Sequence, residues 1–252
     1  MRLKGKTALI SGAGRNNGKA ISLTFAREGA DLILVARKLG DQLNEVARQC
    51  EDLGVKTLPV LADVGNPEEV DRVVKLGLER FGKVDVLVSV TGVRPHKPFW
   101  EFSSKEWQEV FAVNLHSTFY LAKALAPVMI ERGKGGSIIA LGGKGSLRPS
   151  RNGAAVVASK HGLHGLIKSL ATDLGPHGIR ANLLALSHIE NVRLNPEWYP
   201  AGVNHNEGML AQTPLARSGT NQDVANVALF LASDESSYIT GDYICCAGGR
   251  QM

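Results

Sequence analysis

Short β-branched and aliphatic runs alternate along the chain with longer segments in which apolar residues recur at helical spacing. The runs Thr7–Ser11, Leu32–Ala36, Thr57–Leu61, Val84–Val90, Ser137–Leu141, Arg180–Ala185 and Tyr243–Cys246 read as strands. The segments 17–28, 41–53, 67–80, 104–131, 154–174 and 222–232 read as helices. This alternation predicts an α/β fold, a parallel sheet covered by helices on both faces. Two helix starts carry explicit signals. Ser103-Ser104-Lys105-Glu106 is a capping box, and Asn66-Pro67-Glu68-Glu69 sets proline and acidic residues in a first turn. No repeat, low-complexity tract or linker interrupts the pattern. The longest irregular stretch, Ser187 to Asn206, is rich in Asn, Pro, Glu and aromatic residues, so a substrate lid is expected near 187–213.

Composition narrows the class. The 252 residues, 44% hydrophobic and 21% charged, are enough for a large core, and α/β folds of this length form one unit, so a single domain spanning 1–252 is expected. The net charge of +5 is scattered rather than gathered in a stripe, which argues against nucleic acid as a partner. Cys50, Cys245 and Cys246 are an odd count without metal-ligand spacing, as expected in a reducing cytoplasm with no metal bound. No run approaches the roughly 18 apolar residues of a membrane helix, so no membrane or targeting segment is expected.

The first strand runs into Ser11-Gly12-Ala13-Gly14-Arg15-Asn16-Asn17-Gly18, with a helix following. Glycines at such a turn let the backbone approach a pyrophosphate, which then rests on the positive end of the helix. The second strand ends Val35-Ala36-Arg37-Lys38, without the acidic residue that holds a free ribose 2′-hydroxyl. Arg37 with Arg15 matches a 2′-phosphate, because guanidinium grips phosphate with two parallel hydrogen bonds. NADP(H) is therefore expected ahead of NAD(H).

With these come Asp63-Val64, Val84-Asp85-Val86-Leu87-Val88, Val113-Asn114-Leu115, Ser159-Lys160-His161-Gly162, Gly178-Ile179-Arg180-Ala181-Asn182, Pro214-Leu215-Ala216-Arg217, Tyr238-Ile239-Thr240-Gly241 and Gly248-Gly249. In this order, and over essentially the whole chain, they resemble the short-chain dehydrogenase/reductase family. The resemblance implies a single Rossmann-type, doubly wound domain with a seven-stranded parallel sheet, adenine contacted near Asp63 and Val64, a small-molecule substrate, and a homotetramer built through the two long helices. Such a tetramer can also mix with a paralogue.

The departures fall on the chemical residues. The family uses Ser, Tyr and Lys with a supporting Asn; here Asn114 and Lys160 are present, Val156 stands at the tyrosine position and Gly143 at the serine position. Asn16 replaces the middle glycine of the first loop, a change Asn tolerates because it adopts left-handed backbone. Ser89-Val90-Thr91-Gly92 replaces the asparagine-alanine-glycine turn, and Ser187-His188 the proline-glycine after the sixth strand. Val156 has no ionisable proton. Lys160 is expected either to hydrogen-bond the ribose of a bound nicotinamide or to take over the acid/base step itself, since its ammonium pKa falls on burial without a carboxylate; His188, by its ordinary pKa, Tyr199, the one tyrosine expected where a phenol is needed, and water are the other candidate proton sources. His164 is expected at a subunit interface.

Arg94, His96, Lys97 and Lys144, with Arg148 and Arg151, would border the substrate cleft beside Trp198 and Tyr199, which points to an anionic carbonyl or hydroxyl substrate. A redox enzyme with an atypical acid/base site is the leading expectation. A non-redox lyase or isomerase on the same scaffold, and a catalytically silent subunit of a mixed tetramer, are the alternatives.

Overall fold

The computed structural model describes residues 1–38, 40–143, 148–149, 151–191, 208 and 210–250. Seven strands, β1 (Thr7–Ser11), β2 (Asp31–Ala36), β3 (Thr57–Leu61), β4 (Val86–Ser89), β5 (Gly136–Gly143), β6 (Ile179–Leu186) and β7 (Tyr243–Cys246), lie in the order β3-β2-β1-β4-β5-β6-β7. All pairings are parallel. The long helices are α1 (Asn16–Arg27), α2 (Gly40–Glu51), α3 (Pro67–Phe81), α4 (Ser104–Phe111), α5 (Ser117–Arg132), α6 (Ala154–Leu174) and α7 (Asn221–Ala232). This is the doubly wound Rossmann-type fold expected from the alternation of runs.

Both sheet faces are dry. On one side Ile10, Phe25, Leu32, Leu34, Leu184 and Leu229 belong to a core shared with α1, α2 and α7. On the other Leu9, Ile33, Leu87, Leu121, Leu125, Ile138 and Ile167 pack with α3, α5 and α6. Central strands with every residue buried, such as β1 and β4, are what a sheet covered on two faces requires. At the edge, β3 contains Pro59, paired in register with Leu34. Ala62 donates to Ala36 and Leu32 donates to the Lys56 carbonyl, so even-numbered residues of this strand turn toward β2 and Pro59 turns outward.

Both sequence-level caps form. Asn66 accepts from the Glu68 amide, and Ser103 and Glu106 complete the reciprocal capping box. The segment expected as one helix over 104–131 is instead α4 and α5 joined by a π turn, Ala112–His116, with buried Asn114 inside it. The extra residue in that turn swings the Asn114 amide inward, away from the helix ladder.

The chain leaves β1 outward to β2 and β3, then returns to β4 on the opposite side of β1. That reversal opens a crevice beyond the carboxyl ends of β1 and β4, the place where open α/β sheets bind ligands.

The tightest approach of backbone to backbone lies there. A Cβ on Gly18 would stand 2.0 Å from the Gly12 carbonyl oxygen, whereas a Cβ on Gly14 would meet nothing nearer than 3.8 Å. Gly18→Ala should therefore lower stability by about 1–3 kcal/mol, the range of an overpacked site, while Gly14→Ala changes it little. Denaturant titration of the two variants checks this, and equal stabilities would show that the turn is slack.

Candidate active site

The loop after β1 is shaped by its backbone. Gly12 has φ 69° and Asn16 φ 47°, so the asparagine occupies the left-handed conformation that a glycine would otherwise supply. Arg15 caps α1 with extended backbone, and its side chain makes no cap hydrogen bond to the first helical turn. The Asn17 Oδ1 is buried without a hydrogen-bond partner. A close-approach turn at a helix N-terminus and the buried, unpaired Asn17 acceptor together fit a dinucleotide. Arg15, Asn16 and Lys19 also line a cavity of about 460 Å³ with Asp41, Gln42 and Glu45 of α2. At the end of β2, Arg37 is exposed and pairs with Asp63 at 3.4 Å. Asp63 in turn accepts from the Gly65 amide at 2.9 Å and donates its own amide to Glu69, and Val64 beside it is buried.

Beyond β4 the chemistry gathers around Asn114. Its Oδ1 accepts from the Val93 amide at 2.8 Å, and its Nδ2 donates to the Val93 carbonyl at 3.0 Å and to the Ser159 hydroxyl at 3.2 Å. Both amide N–H groups are thereby spent on a clip between the loop after β4 and α6. Ser159, fully buried, passes its own proton to the Val156 carbonyl at 3.0 Å. The next residue, Lys160, is 7% exposed, and its Nζ donates to the Leu141 carbonyl of β5 at 2.8 Å. A Cβ on Gly92 would stand 3.5 Å from Asn114 Oδ1 and 3.9 Å from Lys160 Nζ, so the amide and the amine flank one small open space.

Burial, and then the Arg94 cation, pull the Lys160 pKa down to about 7. Arg94 itself is exposed on the loop after β4. His96, two residues on, is also lowered, by partial burial of its ring and by the same arginine. Lys97 belongs elsewhere: its ammonium pairs with Glu106 at 2.5 Å and sits 5.0 Å from the Phe102 ring centre. Of the cations expected to converge on the cleft, Arg94 acts electrostatically on Lys160 and Lys97 is neutralised. Arg148 and Arg151 are exposed, and Lys144, Trp198, Tyr199 and most of the expected lid lie outside the described residues.

Gly143, expected at the serine position, ends β5 opposite Leu186, and a Cβ there would stand 3.4 Å from the Leu186 carbonyl. Its own carbonyl accepts from the Tyr243 phenol at 3.3 Å. A second phenol, that of Tyr243, reaches this region: its ring extends across β6 from β7 and packs 5.1 Å from His164. Burial and the nearby Cys245 push the Tyr243 phenol up to about 12, so it keeps its proton. His188 follows β6 and lines a cavity of about 420 Å³ with Arg217, Asp223, Asn226 and Cys246. Asn114, Val156 and Lys160 are not among the residues lining it. The His188 carbonyl accepts from Gly219 at 2.9 Å. Sequence reasoning missed Ser159, Arg94's hold on Lys160 and Tyr243; only the first had a signal, its place before Lys160 on an inward helix face.

Comparison with known proteins agrees with this geometry. A family model described as enoyl-(acyl carrier protein) reductase matches residues 12–251. An L-rhamnose 1-dehydrogenase (NAD(P)(+)) of a Sphingomonas species is 34% identical over 250 residues, covering 99% of this chain and 98% of that one. A 3-oxoacyl-acyl-carrier-protein reductase of Thermotoga maritima is 34% identical over 249 residues, 99% of each chain. The crystal structure of carveol dehydrogenase from Mycobacterium avium in complex with NAD superimposes with a TM-score of 0.92 at 28% identity, covering 99% of this chain and 98% of that one. The chain belongs to the short-chain dehydrogenase/reductase family, whose members named here are oxidoreductases. Among the described residues no helix is long and apolar enough to cross a membrane, and no group of three or more His, Cys, Asp or Glu is gathered as a metal site.

The buried lysine carries a measurable signature. Between about pH 7 and the ordinary lysine value of 10.5 the unfolded chain holds a proton that the folded chain has released, so Lys160 penalises folding progressively as pH falls through that window. Lys160→Met should raise the melting temperature most at pH 6 and progressively less toward pH 10, followed by thermal unfolding at fixed ionic strength. A constant difference across that range would show that the amine is not depressed.

Proposed function

We propose that the chain is an NADP(H)-dependent oxidoreductase that interconverts a carbonyl and an alcohol on an anionic small molecule, with Lys160 holding the proton that a phenol holds elsewhere in the family. The carrying observation is the setting of Lys160: buried and beside Arg94, within reach of the space over Gly92, with Val156 four residues earlier on the same helix. A bound nicotinamide supplies or accepts the hydride. Lys160 supplies the rest. As ammonium it gives a proton to the carbonyl oxygen during reduction, and as free amine it takes the hydroxyl proton during oxidation. A group that titrates near neutrality serves both directions. Leu141 O keeps the amine oriented through the transfer, and the saturated Asn114 amide fixes the loop that carries Arg94. Arg94 draws an anionic substrate to the same end of the cleft.

His188 faces a cavity of its own in this reading, and its part is to close the turn after β6 through its backbone carbonyl. Assembly as a homotetramer through α5 and α6 belongs to the same reading, with Phe119 exposed on α5 as an apolar contact for a second copy. The relative named for L-rhamnose carries NAD(P)(+) in its name and the carveol dehydrogenase holds NAD, which supports a nicotinamide cofactor here; the preference for NADP(H) rests on Arg37 and Arg15.

Three experiments test this. Calorimetric titration should give tighter binding of NADPH than of NADH, and Arg37→Asp should reduce or reverse the preference; equal affinities in the native protein would end the assignment. Simple ketones should be poor substrates, because Gly143 and Val156 lack the groups that polarise and protonate a carbonyl. Gly143→Ser with Val156→Tyr should raise ketone reduction by roughly 10²-fold. Native turnover on the true substrate should show a transition near pH 7 that Lys160→Gln abolishes. Turnover that needs no dinucleotide would favour the lyase or isomerase, and failure to bind either dinucleotide a silent subunit.

A further inference from the structure

In the loop after β4 an exposed stretch of backbone lies directly over a buried amine. Gly92 is exposed, whereas Asn114 and Lys160 beneath it are 1% and 7% exposed. Apart from chain neighbours, the described atoms within 4 Å of a Cβ built at Gly92 would be two, Asn114 Oδ1 at 3.5 Å and Lys160 Nζ at 3.9 Å. Gly92 is not among the glycines with positive φ, so its backbone does not demand a glycine. What the missing side chain supplies is room, and that room opens from solvent onto the amine.

The amine is held for use there. Among the described residues Nζ makes one hydrogen bond, to Leu141 O at 2.8 Å, and no carboxylate is paired with it. The neighbouring Ser159 hydroxyl is committed to the Val156 carbonyl. As a free amine, Nζ gives one N–H to Leu141 O and keeps its lone pair. Burial and a nearby cation are the two conditions that turn a lysine into a nucleophile, and both are met. With the pKa at about 7, about half of the amine is unprotonated at neutral pH, against roughly one part in 3,000 for a lysine of ordinary pKa. Across the same space, Asn114 Oδ1 spends one lone pair on the Val93 amide and retains a second.

We propose that Lys160 is a covalent capture site for small carbonyl compounds: an aldehyde or unhindered ketone enters past Gly92 and condenses with Nζ to an imine. The Nζ lone pair forms the C–N bond as the carbonyl π pair moves to oxygen. One amine proton passes to that oxygen, giving a carbinolamine whose hydroxyl donates to Asn114 Oδ1. The second amine proton leaves with the hydroxyl as water, so nothing is oxidised or reduced. An imine draws electrons from the carbon next to it, which is the activation an aldol-type lyase or an isomerase uses. The inference needs the enclosed amine and the opening at Gly92 and needs no dinucleotide. A lysine held as an imine cannot carry the proton of the redox reaction, so the two uses of Lys160 exclude each other at any moment.

The probe is propanal with sodium cyanoborohydride, added to the full chain at pH 7 without dinucleotide, so that each imine is fixed as a propylamine and located by peptide mapping. Lys160 should be alkylated about tenfold or more faster than Lys75 and Lys105, which are exposed on α3 and α4. Gly92→Val, whose methyl groups would fill the opening, should slow Lys160 about tenfold or more and leave the two surface lysines unchanged. Gly92→Ala adds the Cβ alone; it should give an intermediate rate and keeps the test open if valine disturbs the loop. Alkylation of Lys160 no faster than that of the surface lysines overturns the proposal, and so does fast alkylation that survives Gly92→Val in a folded protein. Fast, Gly92-dependent alkylation in a chain that binds neither NADPH nor NADH would leave the capture site standing and overturn the redox reading; tight NADPH binding by a chain whose Lys160 is inert to propanal would do the reverse.

Discussion

A single buried amide, that of Asn114, organises the site. It is held by a π turn inside what would otherwise be one continuous helix, and from there it clips the backbone of Val93 with two hydrogen bonds and reaches Ser159 with a third. Three elements, the loop after β4, the π turn and α6, are registered by that one side chain. Buried polar groups that are fully satisfied fix one arrangement and penalise every other. Arg94 reaches Lys160 electrostatically because Val93, the residue before it, is pinned. Lys160 meets Leu141 because Ser159, the residue before it, is pinned in turn.

Much of the fold was legible because it is written in strong local signals. Thr7–Ser11, Thr57–Leu61 and Tyr243–Cys246 match the sequence reading end for end, and Asn66 and Ser103 declared their helices through caps that need only neighbours three residues away. The π turn was not legible, since apolar periodicity runs straight through Ala112–His116 and only Asn114 hinted at a bend. The site divides along the same line. The roles of Gly12, Asn16 and Gly18 depend on local backbone and could be read. The depression of Lys160 by burial and by Arg94, the facing of His188 toward α7 and the reach of Tyr243 to Gly143 depend on contacts across long sequence separations, to which no motif refers.

The end of β5 is held from two sides. A side chain begun at Gly143 would meet Leu186 O at 3.4 Å, an ordinary contact, and the Tyr243 phenol is bonded to the Gly143 carbonyl. The end of β5 is thus braced by a group from β7 on one side and by Lys160 at Leu141 on the other. Lys160, whose amine is bonded to the Leu141 carbonyl, thus meets β5 two residues before the Gly143 carbonyl that Tyr243 holds.

Pro59 has a consequence beyond the site. It stands at the middle of β3, the outermost strand, and faces away from β2, so the sheet's free border lacks one amide hydrogen at its centre. An incoming strand from another molecule would find its hydrogen-bond ladder interrupted two residues from either end of a five-residue template. At this border a sheet whose strands are otherwise rich in Val, Ile and Leu offers a poorer template for sideways growth, because of an imino acid placed where its own neighbour never needed the proton.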